Sequence, residues 1–187
     1  MAYTLPDGSK LYLGTTFGAP IAITAVTNAD PAVASAAAHG LTVGTPFILN
    51  TGWEDANERV FRVADRLTGS FEIEGFNSTN TNLFPAGSGV GTVVPITAWQ
   101  EIQQVLNPST SGGEQQYATD EPLAKKNAIQ IPTSFSPMSL SIPIGDDPTL
   151  AGYIALKAAS DARDLPPLRI QKPNGSVNFF YRYGGLN

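Results

Sequence analysis

The sequence predicts a mainly β protein with a single helix. Three observations lead there. Glycine and proline are both plentiful, at 18 and 15 residues, which favours short strands joined by turns. Polar and apolar residues alternate in several short runs, the period of a strand with one covered face. Only one stretch, DPTLAGYIALKAASDAR, combines helical periodicity with a start signal and a stop signal.

In chain order, Asp7-Gly8 marks a turn. Lys10 to Gly14 forms a short strand and Thr15 to Pro20 a loop. Residues 21–94 look like a unit of their own, a small β barrel or sandwich. Its first strands flank Asn28-Ala29-Asp30-Pro31, and another covers 46–50. Its clearest hairpin is ERVFRVADRLTGSFEIEGF, with Val60, Val63, Phe71, Ile73 and Phe76 as apolar positions and Leu67 to Ser70 as the turn. A polar link then leads to a short strand at 91–94.

The next stretch, 99–144, organises the remainder. WQEIQQVL (99–106) rises and IQIPTSFSPMSLSIPI (129–144) returns, with Met138, Leu140, Ile142 and Ile144 alternating with Ser139, Ser141 and Pro143. Between them, residues 107–128 are too many for a tight turn and too polar for a core. Such an arm reaches away from its own domain, and we expect it to meet a neighbouring copy of the same chain. The helix is expected over 147–163. Asp147 caps it, Pro148 occupies its first position, and Leu150, Tyr153, Ile154, Lys157 and Ala158 share a face. Pro166-Pro167 ends it. A hairpin follows, with strands at 168–171 and 177–183 around Pro173-Asn174-Gly175.

Composition narrows the function. The 187 residues suffice for one domain with a full core or two small ones. Charged residues make up 14%, against about 25% in an ordinary soluble protein. A surface largely covered by like copies suits this, as does ordinary variation in an all-β protein. The net charge of -5 argues against binding a nucleic-acid backbone by neutralisation, though not against a channel through which DNA slides without sticking. The absence of cysteine excludes disulfides and thiolate metal sites. The N-terminal residues lack the apolar segment of a secretory signal, and no run approaches the ~18–20 apolar residues of a membrane helix.

No catalytic set stands out. His39, the single histidine, precedes a glycine in a loop, and no nucleophile elbow accompanies it. One histidine without cysteine cannot supply a common zinc set. The acidic pairs Glu54-Asp55, Asp120-Glu121 and Asp146-Asp147 match no calcium loop. The Gly87 to Gly91 and Ser111 to Gly113 stretches lack the Gly-Lys-Ser/Thr of a phosphate loop. Phe179, Phe180, Tyr181 and Tyr183 suit a core or a subunit contact better than base stacking in an acidic chain. We therefore expect no enzyme and no cofactor.

The order of these elements resembles the tail tube (major tail) proteins of phages with long non-contractile tails, the lambda type. KLYLGT, ITAWQEIQQVLNPSTSGGEQQY, SPMSLSIPIGDDPTLAGYIALKAA and LRIQKPNGSVNFF carry the resemblance. Residues 21–94 are similar to a small β module inserted in many phage virion proteins. The resemblance implies a β-sandwich or barrel tube-subunit fold, formed by 1–20 and 95–187 and flanked by one helix, with the inserted module as a small barrel. It further implies hexameric rings stacked into a tube that conducts DNA during ejection. The tape-measure protein would lie in the lumen, and tail tip and terminator proteins at the ends. The protein would sit in the virion tail after assembly in the host cytoplasm. Glu101 and Gln103 would then face the lumen, because Ile102 and Leu106 mark the other face as the one packed inward. The arm loop would contact a neighbouring subunit or ring through Ser111, Gly112, Gly113, Glu114, Gln115, Gln116, Asp120, Glu121, Lys125 and Lys126. The family pattern also implies one more strand beyond the aromatic one, whereas the sequence stops at Asn187. The competing reading is a virion-surface β module that contacts carbohydrate or host, as on a fibre or baseplate.

Overall fold

The computed structural model describes residues 8–107, 109–121, 123, 126–137, 139–164 and 166–181. Expectations placed on Asp7, Lys125, Met138 and Tyr183 lie outside these residues. The chain is mainly β with one helix. It divides into two compact units, one formed by Met1–Gln103 with Asp147–Asn187 and the other by Gln104–Asp146.

The first unit holds one large sheet. Its strands are β1 (Lys10–Phe17), β2 (Ile21–Ile23), β3 (Ala25–Val26), β4 (Val33–Ser35), β5 (Pro46–Thr51), β6 (Arg59–Leu67), β7 (Ser70–Ile73), β8 (Gly91–Ile102), β13 (Leu168–Gln171) and β14 (Val177–Phe180). The hydrogen-bonded order is β14-β13-β1-β8-β5-β6-β7-β4-β3, with β2 also on β8. Pairing does not close this sheet into a barrel. The β3 end returns to β8 through the chain itself, because β2 pairs β8 and β3, only Thr24 further on, pairs β4.

Residues between Ile23 and Val93 supply one apolar cluster, in which Trp53, Phe47, Leu49, Val63, Phe71 and Ile73 are fully buried. Its rings meet in tilted and edge-on pairs, such as Trp53 with Phe84 at 5.3 Å and Phe47 with Phe71 at 5.4 Å. The indole N–H of Trp53 donates to the Pro85 carbonyl at 2.8 Å, so this large side chain is buried without an orphaned donor. His39 belongs to the same packing. Its Nδ1 accepts from the Leu41 N–H at 3.1 Å, which leaves the proton on Nε2 to donate to the Leu67 carbonyl at 3.0 Å. The ring also lies 5.3 Å from Phe71.

Several boundaries differ from the sequence expectation. The strands expected at 91–94 and from Trp99 onward are one strand of 12 residues, β8. Proline ordinarily breaks a central strand because it lacks a donor. Pro95 falls opposite the break between β1 and β2, where its carbonyl accepts from Gly18 N–H at 2.8 Å and no strand needs a donor. β1 likewise continues to Phe17 rather than stopping at Gly14.

The helix, α1 (Ala151–Asp161), starts later and ends earlier than expected, and Leu150, not Asp147, is its N-cap residue. Asp147 Oδ1 accepts from the N–H of Thr149 at 3.0 Å and from its hydroxyl at 2.6 Å, so it caps a separate turn before the helix. These hydrogen bonds hold the Asp147 carboxyl below its ordinary range. The buried side of α1 is also rotated from the expected one. Gly152 is buried while Ile154, Lys157 and Ala158 are exposed. α1 packs against β8 and β1, and the lack of a side chain at Gly152 lets it approach the backbone at Glu101 and Ile102.

The second unit is the arm. It contains β9 (Ser109–Ser111), β10 (Gln115–Asp120), β11 (Ile129–Phe135) and β12 (Ser139–Ser141). β9 pairs β12 and β10 pairs β11, both antiparallel. Residues expected to be one long loop, 107–128, thus contribute two strands, and the connection between β10 and β11 covers only 121–128. Cross-strand pairing supplies order that a polar sequence does not advertise. The expected rising arm ends as a strand at Ile102, and the Val105–Ile144 bridge joins the two sides again. Gly112 and Gly113 both have φ near +80° and set the bend between β9 and β10.

Candidate functional site

Two surfaces stand out. The first is a four-stranded portion of the large sheet, β14-β13-β1-β8, antiparallel throughout. The register sorts its side chains by face. Leu11 is paired with both Ile102 and Ile170, and Leu13 with Leu168. Leu11, Leu13 and Ile102 are buried. The opposite face carries Tyr12 paired with Glu101 and Arg169, and Arg169 paired with Phe179.

On that second face the Arg169 guanidinium lies 4.2 Å from the Tyr12 ring centroid and 4.8 Å from that of Trp99. Trp99 in turn lies 6.0 Å from Phe179. Partial burial lowers the Arg169 pKa, and the neighbouring Tyr12 hydroxyl opposes the shift. A guanidinium keeps its charge in such a place, and its planar shape matches the rings. Glu101 is half-exposed on the same face and pairs with Lys10 at 3.3 Å. Gln103 follows β8 and is exposed. Of the expected inward-packed residues, Ile102 is buried and Leu106 is 60% exposed.

This sheet portion has two unpaired edges among the described residues. β14 pairs only β13. Along β8, β2 and β5 flank residues 91–93, and the β5 pairing ends at Pro95. Over 97–102 only β1 pairs with β8 as a strand, and α1 approaches the end of this length at Glu101 and Ile102. Counting across antiparallel neighbours, β8 and β14 run in opposite directions.

The second surface is the arm. Ser111 pairs with Ser139, their hydroxyl oxygens 2.6 Å apart. Glu114 N–H donates to Ser136 Oγ at 3.0 Å, and the Gln116 carbonyl accepts from the Thr133 hydroxyl at 3.2 Å. Gln115 is opposite Phe135, and Asp120 is opposite Ile129. Ser111, Gly112, Gly113, Glu114, Gln115, Gln116, Asp120, Glu121 and Lys126 are all exposed. No described residue from 104 to 146 is buried.

Sequence reasoning missed the Tyr12–Arg169–Trp99–Phe179 group, because its members come from four strands joined only by register. It also passed over Tyr117 and Phe135, whose exposure is visible only in the folded arm. Among the described residues, no three or more His, Asp or Glu side chains gather as a metal site, and no helix is long and apolar enough to cross a membrane. No curated protein and no solved structure matches the chain. A family model does match, over residues 51–184, which include both surfaces except β1; its description is phage tail tube protein, and the chain belongs to that family.

Proposed function

We propose that this chain is a non-enzymatic tail tube subunit of the lambda type, assembling into hexameric rings that stack into a DNA-conducting tube. The observation that supports the reading is the pair of edges without strand partners on the antiparallel four-stranded portion of the large sheet. An even number of alternating strands leaves edges of opposite direction. Rotation of one copy next to another therefore brings β14 antiparallel to β8, and head-to-tail repetition continues one sheet around a ring. The polar face with Glu101, Lys10 and Arg169 then lines the lumen, together with Gln103. Lys10 is paired with Glu101 there and Arg169 is stacked against Tyr12 and Trp99, so little free positive charge is offered to DNA phosphates, which favours passage over retention. The arm, from Ser111 through Lys126, contacts a neighbouring subunit or ring. Residues 21–94 are an inserted module carried by the tube domain of 1–20 and 95–187. Tape-measure, tip and terminator proteins complete the tail of the virion, which is assembled in the host cytoplasm.

Negative-stain microscopy of the purified, concentrated protein tests this. Hollow rings or tubes with six-fold end views are expected. A uniform monomer at all concentrations, with no assembly on addition of tail tip complexes, overturns the reading.

A further inference from the structure

The arm hairpin has two faces, and a bulge decides what lies on each. Ala118 is opposite Ile131 and Asp120 opposite Ile129 on one face. Tyr117 is opposite Pro132 and Thr119 opposite Gln130 on the other. Strict alternation along β11 would place Phe135 with Ile131 and Ile129. The register shifts instead between Gln115 and Tyr117, where three steps on β11 match two on β10, and Phe135 comes opposite Gln115. Gln115 and Tyr117 share a face, so the extra residue moves Phe135 to the Tyr117–Pro132 face.

We propose that this face, Tyr117, Pro132 and Phe135, is the surface on which a second copy of the chain docks. Tyr117 is 54% exposed and Phe135 is 69% exposed, in a hairpin where no described residue is buried. An isolated two-stranded ribbon is marginal in water, so this arm needs a cover. The segments that bear the face, QQYAT and QIPTSF, hold no charged residue. Exposed aromatics without charge match the buried centre of a protein interface and not a nucleic-acid contact. Charges resume at the hairpin end with Asp120, Glu121 and Lys126, as a polar rim does. The identity of the cover as a second copy rests on the tube-subunit reading, in which the same chain recurs beside every arm.

Neighbouring residues provide the test. Thr119 lies on the docking face and Ala118 on the other, both exposed, and the chain has no cysteine of its own. Thr119→Cys and Ala118→Cys, each a minor component among wild-type chains, are labelled with a maleimide before and after assembly. In tubes, labelling at Thr119→Cys slows on the order of tenfold or more because reagent access is lost, while Ala118→Cys keeps its monomer rate. Equal rates at both sites in tubes, or protection of Ala118→Cys alone, overturns the docking face and leaves the tube reading intact. Failure of the wild-type chain to assemble at all overturns the tube reading. As a second measurement, the Tyr117→Ser/Phe135→Ser double variant should keep the wild-type thermal transition but fail to form tubes, whereas Ile131→Ser forms them. Normal tubes from the double variant overturn the inference.

Discussion

Gly152 is where the helix meets the sheet, and replacing it with alanine is a quantitative test of that contact. A Cβ built there sits 2.5 Å from the Glu101 carbonyl oxygen and 2.8 Å from the Ile102 Cα. Both neighbours are backbone of a strand still paired with β1 at this point, so neither can swing aside as a side chain would. Contact distances near 3.5 Å require the helix to lift by about 1 Å. Overpacking of this kind costs about 1–3 kcal/mol. Alanine returns at most about 1 kcal/mol of helix propensity, and Gly152 is only the second residue of α1. The net expectation is a loss of ~1–2 kcal/mol. For a chain of this size that lowers the thermal midpoint by roughly 2–8 °C.

Urea unfolding gives the free-energy change if the slope of the transition is unchanged. Ala158→Gly serves as a control for propensity alone. It is exposed within the same helix, so it should cost about 1 kcal/mol with no packing component. If Gly152→Ala is as stable as wild type or more so, the helix does not rest on β8 at this point and the packing argument fails.

Other changes separate the remaining contributions. Trp53→Ala removes the largest fully buried side chain and its hydrogen bond to Pro85; a loss of about 3–5 kcal/mol is expected in urea unfolding, and a loss under 1 kcal/mol would place Trp53 outside the main core. Arg169→Lys keeps the charge but loses the plane stacked over Tyr12 and Trp99; thermal denaturation should show a loss of about 0.5–2 kcal/mol. Arg62 and Glu74 form an exposed two-hydrogen-bond pair that holds the Glu74 carboxyl below its ordinary range, chiefly through the Arg62 side-chain bond. Their stabilisation is therefore present above the unfolded glutamate pKa, about 4.3, and is lost as the pH falls through the lower folded value. A double-mutant cycle should give no more than about 1 kcal/mol at neutral pH, because solvent screens the pair, and a coupling that grows on acidification would refute the assignment.

Much of the fold was legible in local pattern. The β6–β7 hairpin follows from its alternation and its Thr68-Gly69 turn, and the β13–β14 hairpin from Pro173-Asn174-Gly175. The strand expected at 91–94 runs on through Pro95 because the chain hides the missing donor in a gap between two other strands. The helix boundaries misled. Asp147 and Pro148 carry start signals, but they serve a turn that precedes the helix. The helix face could not be chosen from hydropathy, since a glycine packs inward here and Ile154 points outward. Glycine gains burial through close backbone approach, which no hydropathy period records. In the arm, the polar residues 107–128 concealed two strands, because pairing partners and not side-chain character determine their order. The Tyr12–Arg169–Trp99–Phe179 group depends on the register of four strands and has no local signature.

The bare edges bear further on assembly. A monomer protects an edge strand with proline, with lysine, with inward charge or with a covering element. β14 is Val177-Asn178-Phe179-Phe180 and contains neither charge nor proline. The length of β8 without a second strand partner, residues 97–102, has Glu101 as its single charge, which Lys10 on the neighbouring strand already engages, and α1 covers only its end. The same chain places Asp120, Glu121 and Lys126 at the end of the arm hairpin. Charge was thus available to this sequence and sits at the hairpin end, not along the two sheet edges. An unguarded edge is a hazard only where its partner is undefined. Two edges of opposite direction without strand partners on one sheet suit pairing with each other between copies, and the proposed ring would leave neither without a partner.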